Sequence, residues 1–188
     1  MSYLILVRHS QSEMQPEFPA AQWPLSAEGR QRCRILAERL QPYDLSCIHT
    51  SQETKAVQTA RITARQLGIP WRQRTGLEEH HRSTVRILAR SEFQALVARL
   101  LHNPDELVFG DETGAQAVKR FSSALQELLQ AHPNENLGVV THGTVLSLWA
   151  AQQFNLPVFE FWQQLGLPAY LVIRRNHGWT LETTQNIP

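Results

Sequence analysis

The sequence predicts an α/β fold, layered around a largely parallel sheet. Three observations carry this. Tyr3–Val7 and Leu137–Thr141 are continuous apolar runs of the kind found in strands covered on both faces. Each run stops abruptly and delivers a histidine, in Arg8-His9 and in His142-Gly143. Between them, strand-length runs alternate with helix-period segments bounded by capping residues and by glycine or proline stops. Open α/β sheets bind ligands at the C-terminal ends of their strands, so both histidines fall where a ligand is expected.

The elements follow in order. Residues 3–8 form the first strand, and 14–24, with three prolines and no period, a loop. Ser26 caps a helix whose apolar stripe includes Cys33, Leu36, Ala37 and Leu40 and which Pro42 ends. Leu45–His49 is a short strand, and Thr50 or Ser51 then caps a helix to about Leu67, closed by Gly68 and Pro70. Ile69–Arg74 is a third strand, and the polar run Leu77–Arg82 a loop beyond a strand end. Ser91 with Gln94 forms a capping box for a helix to about His102. Thr113 with Gln116 forms another, for a helix to about Ala131. After the strand at 137–141 come a helix over 143–154 and a break at Asn155-Leu156-Pro157. Tyr170–Arg174 and Trp179–Glu182 read as a hairpin around Asn176-His177-Gly178.

With 188 residues the chain is expected to form one domain with a real core. Its net charge of +1 implies no general attraction to nucleic acid or to an acidic membrane, so any anion site must come from locally gathered cations. Cys33 and Cys47 have neither metal-ligand nor disulfide spacing and read as core thiols in a reducing compartment. The N-terminal run is strand-length, without a basic leader or cleavage site, and no segment approaches a membrane span. A cytoplasmic protein is expected.

Arg8-His9 suits a phosphoryl group. Arginine holds phosphate oxygens by paired hydrogen bonds, and a neutral imidazole nitrogen can attack phosphorus. Leu6-Val7-Arg8-His9-Ser10-Gln11-Ser12-Glu13 resembles the opening motif of the histidine phosphatase superfamily, which includes the phosphoglycerate mutases and usually reads Leu-Val-Arg-His-Gly. Further blocks resemble the family in order across residues 4–149: Leu25-Ser26-Ala27-Glu28-Gly29, Ser51 to Ala60, Leu77-Glu78-Glu79, Gly110-Asp111-Glu112-Thr113 and Val139 to Gly143. The resemblance implies a three-layer α/β/α fold like that of the mutases. It also implies roles: His9 as nucleophile, Arg8 as phosphate clamp, His142 as stabiliser of the transferring phosphoryl, and Glu79 as general acid. Lys55 stands where the family has its second phosphate-binding arginine, and Ser10 and Gly143 complete the substrate-binding set. Such chemistry is positioning and charge stabilisation, so no metal or cofactor is implied.

Two departures stand out. Lys55 keeps the charge of the arginine but loses its planar fork. Ser10 replaces glycine, and it is strained by roughly 1–2 kcal/mol if the position requires a positive φ; alternatively its hydroxyl meets phosphate. Glu78 reads as a solvated loop carboxylate. Adjacent His80 and His81 diverge in extended chain, which makes a metal the minority reading. Arg82, Arg86 and Arg90 form a basic stripe if 82–90 is helical, but a solvated face is the reading slightly preferred. Trp23 is either a pocket wall or a loop anchor. Glu112 either orients a cation or favours the following helix end. The expected function is hydrolysis of a phosphomonoester, from a small phosphorylated metabolite or a phosphoprotein, by one domain over 1–188 with 76–112 covering the substrate. A mutase is one rival; a catalytically quiet phosphate-ligand or phosphoprotein binding domain is the other.

Overall fold

Alternate residues of the first strand face two different helical layers, and this sets the architecture. The computed structural model describes residues 2–82, 88–176 and 178–188. Its strands are β1 (Ser2–Arg8), β2 (Cys47–Thr50), β3 (Trp71–Gln73), β4 (Leu137–Thr141), β5 (Ala169–Arg175) and β6 (Trp179–Asn186). They form one mostly parallel sheet in the order β3-β2-β4-β1-β5-β6. The first four strands pair in parallel, while β5 and β6 are appended antiparallel as the expected hairpin. His177, in its turn, lies outside the described residues.

The helices are α1 (Ala27–Leu40), α2 (Thr54–Leu67), α3 (Arg90–His102), α4 (Gly114–Ala131), α5 (Gly143–Phe154) and α6 (Val158–Gln164). Ile5 and Val7 of β1 pack with Leu36 and Leu40 of α1 and Ala56, Ala60 and Ala64 of α2. Leu4 and Leu6 pack on the opposite face with Phe121 and Leu125 of α4 and Val145 and Trp149 of α5. This period-two division makes the three layers. A third cluster joins α3 and α6 to the outer side of α5 through Val97, Leu100, Leu148 and Trp162.

The caps test the local readings. Ser26 Oγ accepts the Gly29 N–H, and Thr113 and Gln116 form the reciprocal box at α4. The Ser91–Gln94 box does not form: α3 begins at Arg90 after an extended Ala89, so both residues already lie within the helix. Nor is Ser51 or Thr50 the cap of α2. That position falls to Glu53, whose side chain makes no capping bond and is used elsewhere. The short α6 follows Asn155, which is left-handed at φ 53°. At two turns its period was too brief to read, and its place is fixed by burying Trp162.

Candidate active site

Parallel pairing of β1 with β4 sets Arg8 opposite Thr141, and the His9 N–H donates to Thr141 O at 2.9 Å. The two histidines therefore leave the same sheet edge side by side, with ring centroids 5.1 Å apart. His9 Nδ1 lies 2.7 Å from Ser10 O. A carbonyl only accepts, so Nδ1 carries the proton and Nε2 keeps its lone pair. Burial, then His142 and Lys55, hold His9 well below the usual imidazole range, which keeps the ring neutral. His142 Nε2 meets Ser51 Oγ at 2.8 Å and Glu53 Oε1 at 3.4 Å. Its Nδ1 is buried with no partner among the described residues. Burial pushes His142 down to about 4 against the opposing pull of Glu53.

Arg8 is fixed from behind, because its Nη1 donates to Leu165 O while Nε is buried without a partner among the described residues. Gly143 makes room for it: a Cβ there would lie 2.9 Å from Arg8 Nε and 3.0 Å from Cζ. Hence the start of α5 and the guanidinium share one small volume, where the N-terminus of the helix favours an anion.

Glu79 reaches this volume from a stapled loop. Arg120 donates to the carbonyls of Gly76 and Glu78 at 3.1 Å each and of Glu79 at 3.0 Å, and pairs with Glu112 at 2.6 Å. Glu112 also accepts the His81 N–H at 2.9 Å, so this carboxylate fixes the loop. The Glu79 carboxylate accepts from Thr144 and Val145 at the head of α5, both at 3.0 Å, and from His80 N at 2.9 Å. Arg82 Nη2 lies 3.3 Å away. Burial alone would raise its pKa, but Arg82, His142 and the N–H donors outweigh it and hold Glu79 far below the carboxylate range.

A sequence profile of the histidine phosphatase superfamily (branch 1) matches residues 4–186. The chain belongs to the histidine phosphatase superfamily. It is 26% identical over 149 residues to an uncharacterized phosphatase, PhoE, of Bacillus subtilis (strain 168), covering 78% of this chain and 74% of that one. YhfR of Bacillus stearothermophilus superposes with a TM-score of 0.79 at 24% identity, covering 100% of this chain and 98% of its own. A mycobacterial glucosyl-3-phosphoglycerate phosphatase, solved with VO3, gives 0.77 at 21% identity over 100% of both chains. The phosphoserine phosphatase of Entamoeba histolytica, solved as a mutant with phosphoserine, gives 0.78 at 17% identity over 98% of this chain and 96% of that one.

Within this histidine phosphatase the sequence blocks acquire physical reasons. Gln58 accepts the Leu25 N–H at 2.8 Å and Thr59 accepts the Ser10 N–H at 3.0 Å, which tie α2 to the nucleophile turn. Gly29 lies so close beneath Gln11 that a Cβ would sit 2.1 Å from its carbonyl oxygen. Ser10 does not have a positive φ, so the expected strain is absent. Nor does its hydroxyl face the phosphoryl site; it donates inward to Gly29 O at 2.8 Å. Lys55 Nζ is bound at 2.7 Å by Glu53 and at 2.8 Å by Ala20 O. Glu53, held down at about 2 by His142 and Lys55 against its burial, also accepts the Glu79 N–H at 2.9 Å. The sequence offered no signal for Glu53 beyond its place two residues before Lys55, and none for Arg120.

Glu78 is no solvated carboxylate: it accepts the Gly76 N–H at 2.7 Å and lies 3.5 Å from Arg120. Trp23 is a loop anchor, its indole N–H shared by the carbonyls of Gln15 and Phe18. His80 is buried against Phe109 with Nε2 2.7 Å from Glu112 O, whereas His81 is half-exposed. No metal-binding cluster of His, Cys, Asp or Glu occurs among the described residues. Arg86 lies outside the described residues, Arg90 is exposed at the start of α3, and Arg82 is in non-helical chain, so the helical stripe is not seen in the described part. Among the described residues no helix is long and apolar enough to cross a membrane.

Proposed function

We propose that this histidine phosphatase hydrolyses a small phosphomonoester through a phosphohistidine on His9. The observation that carries the reading is the convergence of complementary groups at one sheet edge. His9 has a proton-free Nε2, and His142 Nδ1 and Arg8 Nε are buried polar atoms without partners among the described residues. A phosphoryl group would accept from the Arg8 guanidinium, the Gly143 N–H and a protonated His142 Nδ1. His9 Nε2 attacks phosphorus as the ester P–O bond breaks. Water then attacks the phosphohistidine, breaks P–N and releases inorganic phosphate.

Glu79 is the proposed proton donor to the leaving oxygen and acceptor from the attacking water. As held here it is ionised, so it must gain a proton as the substrate anion arrives; a dianion beside it pushes in that direction. We assign the mycobacterial and amoebal neighbours' kind of substrate, a small phosphorylated metabolite, as the preferred class. Residues 1–188 act as one domain, with the segment 76–112 covering the substrate. The buried free thiols of Cys33 and Cys47 suit a reducing compartment, and we place the protein in the cytoplasm.

The test is p-nitrophenyl phosphate turnover in the presence of chelator, beside His9→Ala, with trapping of labelled phosphoenzyme. Turnover that vanishes with His9, together with an acid-labile adduct on that residue, is expected. Undiminished activity in His9→Ala would remove the mechanism. The capture of Lys55 by Glu53 favours the binding-domain rival as the second reading; phosphate binding without any adduct would select it.

A further inference from the structure

Accepting the phosphatase reading, we infer that Arg82 is the second phosphoryl-binding cation of this site, taking over the work of the arginine that Lys55 replaces. The argument begins with charge. Lys55 donates to Glu53 at 2.7 Å and to Ala20 O at 2.8 Å, so its charge is matched by a carboxylate. Glu79 stands near Arg8 in the same way, as an opposing charge. With only those four groups the site is neutral and poorly suited to a dianion. Arg82 changes the balance to three cations against two carboxylates.

Its placement is built rather than incidental. The guanidinium carbon lies 5.0 Å from the Phe93 ring centre and 5.6 Å from that of Phe109, two aromatic faces that hold a planar cation. Its Nη2 is 3.3 Å from Glu79 Oε2, and Nη1 is buried with no partner among the described residues. A buried, unpaired arginine nitrogen is costly and calls for an acceptor. Arg8 Nε and His142 Nδ1 are also buried without partners among the described residues, and the charges of Arg82 and Glu79 act on His142 and on Arg8 respectively, which puts these atoms around the same carboxylate. Phe93 stands in α3 and Phe109 in the loop after it, so the covering segment supplies the platform for this cation.

The assignment also explains how Glu79 can take up a proton from solvent or from a substrate monoanion. As the side chains stand, Arg82 is the foremost charge favouring the Glu79 carboxylate. When Arg82 turns to a phosphoryl oxygen, Glu79 loses that support just as a dianion arrives. Protonation then becomes favourable, and the carboxyl can donate to the leaving oxygen. Arg82 thus couples substrate binding to arming of the acid.

The experiment measures inorganic phosphate affinity by calorimetry in a His9→Ala background, with and without Arg82→Gln, and steady-state kinetics in the His9 protein. Phosphate affinity should fall at least tenfold with Arg82→Gln, while the melting temperature changes little. Activity with an alkyl phosphate and with p-nitrophenyl phosphate should fall together, because removing Arg82 costs phosphoryl binding while leaving Glu79 no harder to protonate. Lys55→Arg added to Arg82→Gln should recover part of the phosphate affinity. Unchanged phosphate affinity in Arg82→Gln would overturn the assignment and leave Arg82 as a structural partner of Glu79. Absence of His9-dependent turnover in the unmodified protein would instead refute the phosphatase reading, whatever Arg82 does.

Discussion

Gly143→Ala isolates the Arg8 clamp from the rest of the fold. The added Cβ would lie 2.9 Å from Arg8 Nε, 3.0 Å from Cζ and 3.2 Å from Nη2. Ordinary contact between such atoms begins at about 3.5 Å, so the guanidinium must retreat by roughly half an ångström or more. Its freedom is small, because Nη1 is bonded to Leu165 O and Nε is already buried. Arg8 must leave its rotamer at a cost of about 0.5–1.5 kcal/mol. Alanine is favoured over glycine in a helix by up to about 1 kcal/mol, which offsets much of that. Stability should therefore change little. Catalysis should not escape: a misplaced oxyanion donor costs about 10²–10³ in kcat. Steady-state kinetics with p-nitrophenyl phosphate, paired with thermal unfolding, separates the two. A native-like melt with kcat within threefold of the unmodified protein would show that Arg8 does not clamp the phosphoryl group from this position.

Two further perturbations follow from the same geometry. Lys55→Arg should leave activity similar or raise it, since Glu53 can pair with a fork as well as with an ammonium; a large loss in kcat/KM would mean that Lys55 makes a contact arginine cannot fit. Stability should fall as pH drops from about 6.5 towards 4. His142 and His49 both have an ordinary value of 6.5 lowered to about 4 by burial, so the unfolded chain binds more protons in that window. The fully buried His142 contributes about 3 kcal/mol of this on the usual conversion. Urea unfolding should show the decline between pH 7 and pH 4.5 and a shallower one in His142→Asn; equal slopes would exclude His142 as its source.

The path of the chain was legible because its signals are local. The alternation within β1 assigns Ile5 and Val7 to one layer and Leu4 and Leu6 to the other, and backbone period alone dictates that division. Thr113 with Gln116 marks the start of α4 for the same reason, since both partners of the box lie within one turn. Arg8, His9 and His142 were also legible, because each lies in the chain directly after an apolar run. Ser91 with Gln94 failed although its spacing was right. Nothing in three residues of sequence says that the chain has already turned helical at Arg90.

The layered α/β fold, the two histidines at one sheet edge and the family to which the chain belongs all follow from residue order, because their signals lie in contiguous stretches of chain. What surrounds the histidines comes from contacts between elements distant in the chain. Glu53 reaches Lys55, His142 and the Glu79 backbone only because the head of α2 lies against the start of α5 and the 76–82 loop. Arg120 staples that loop from α4, forty or more positions away in the chain. The physical reason is that charge pairing depends on distance and burial in space, which residue spacing does not encode. A lysine in an arginine's place reads as a weakened clamp; only its neighbours reveal that its charge is matched by Glu53 and that Arg82 has a donor to spare.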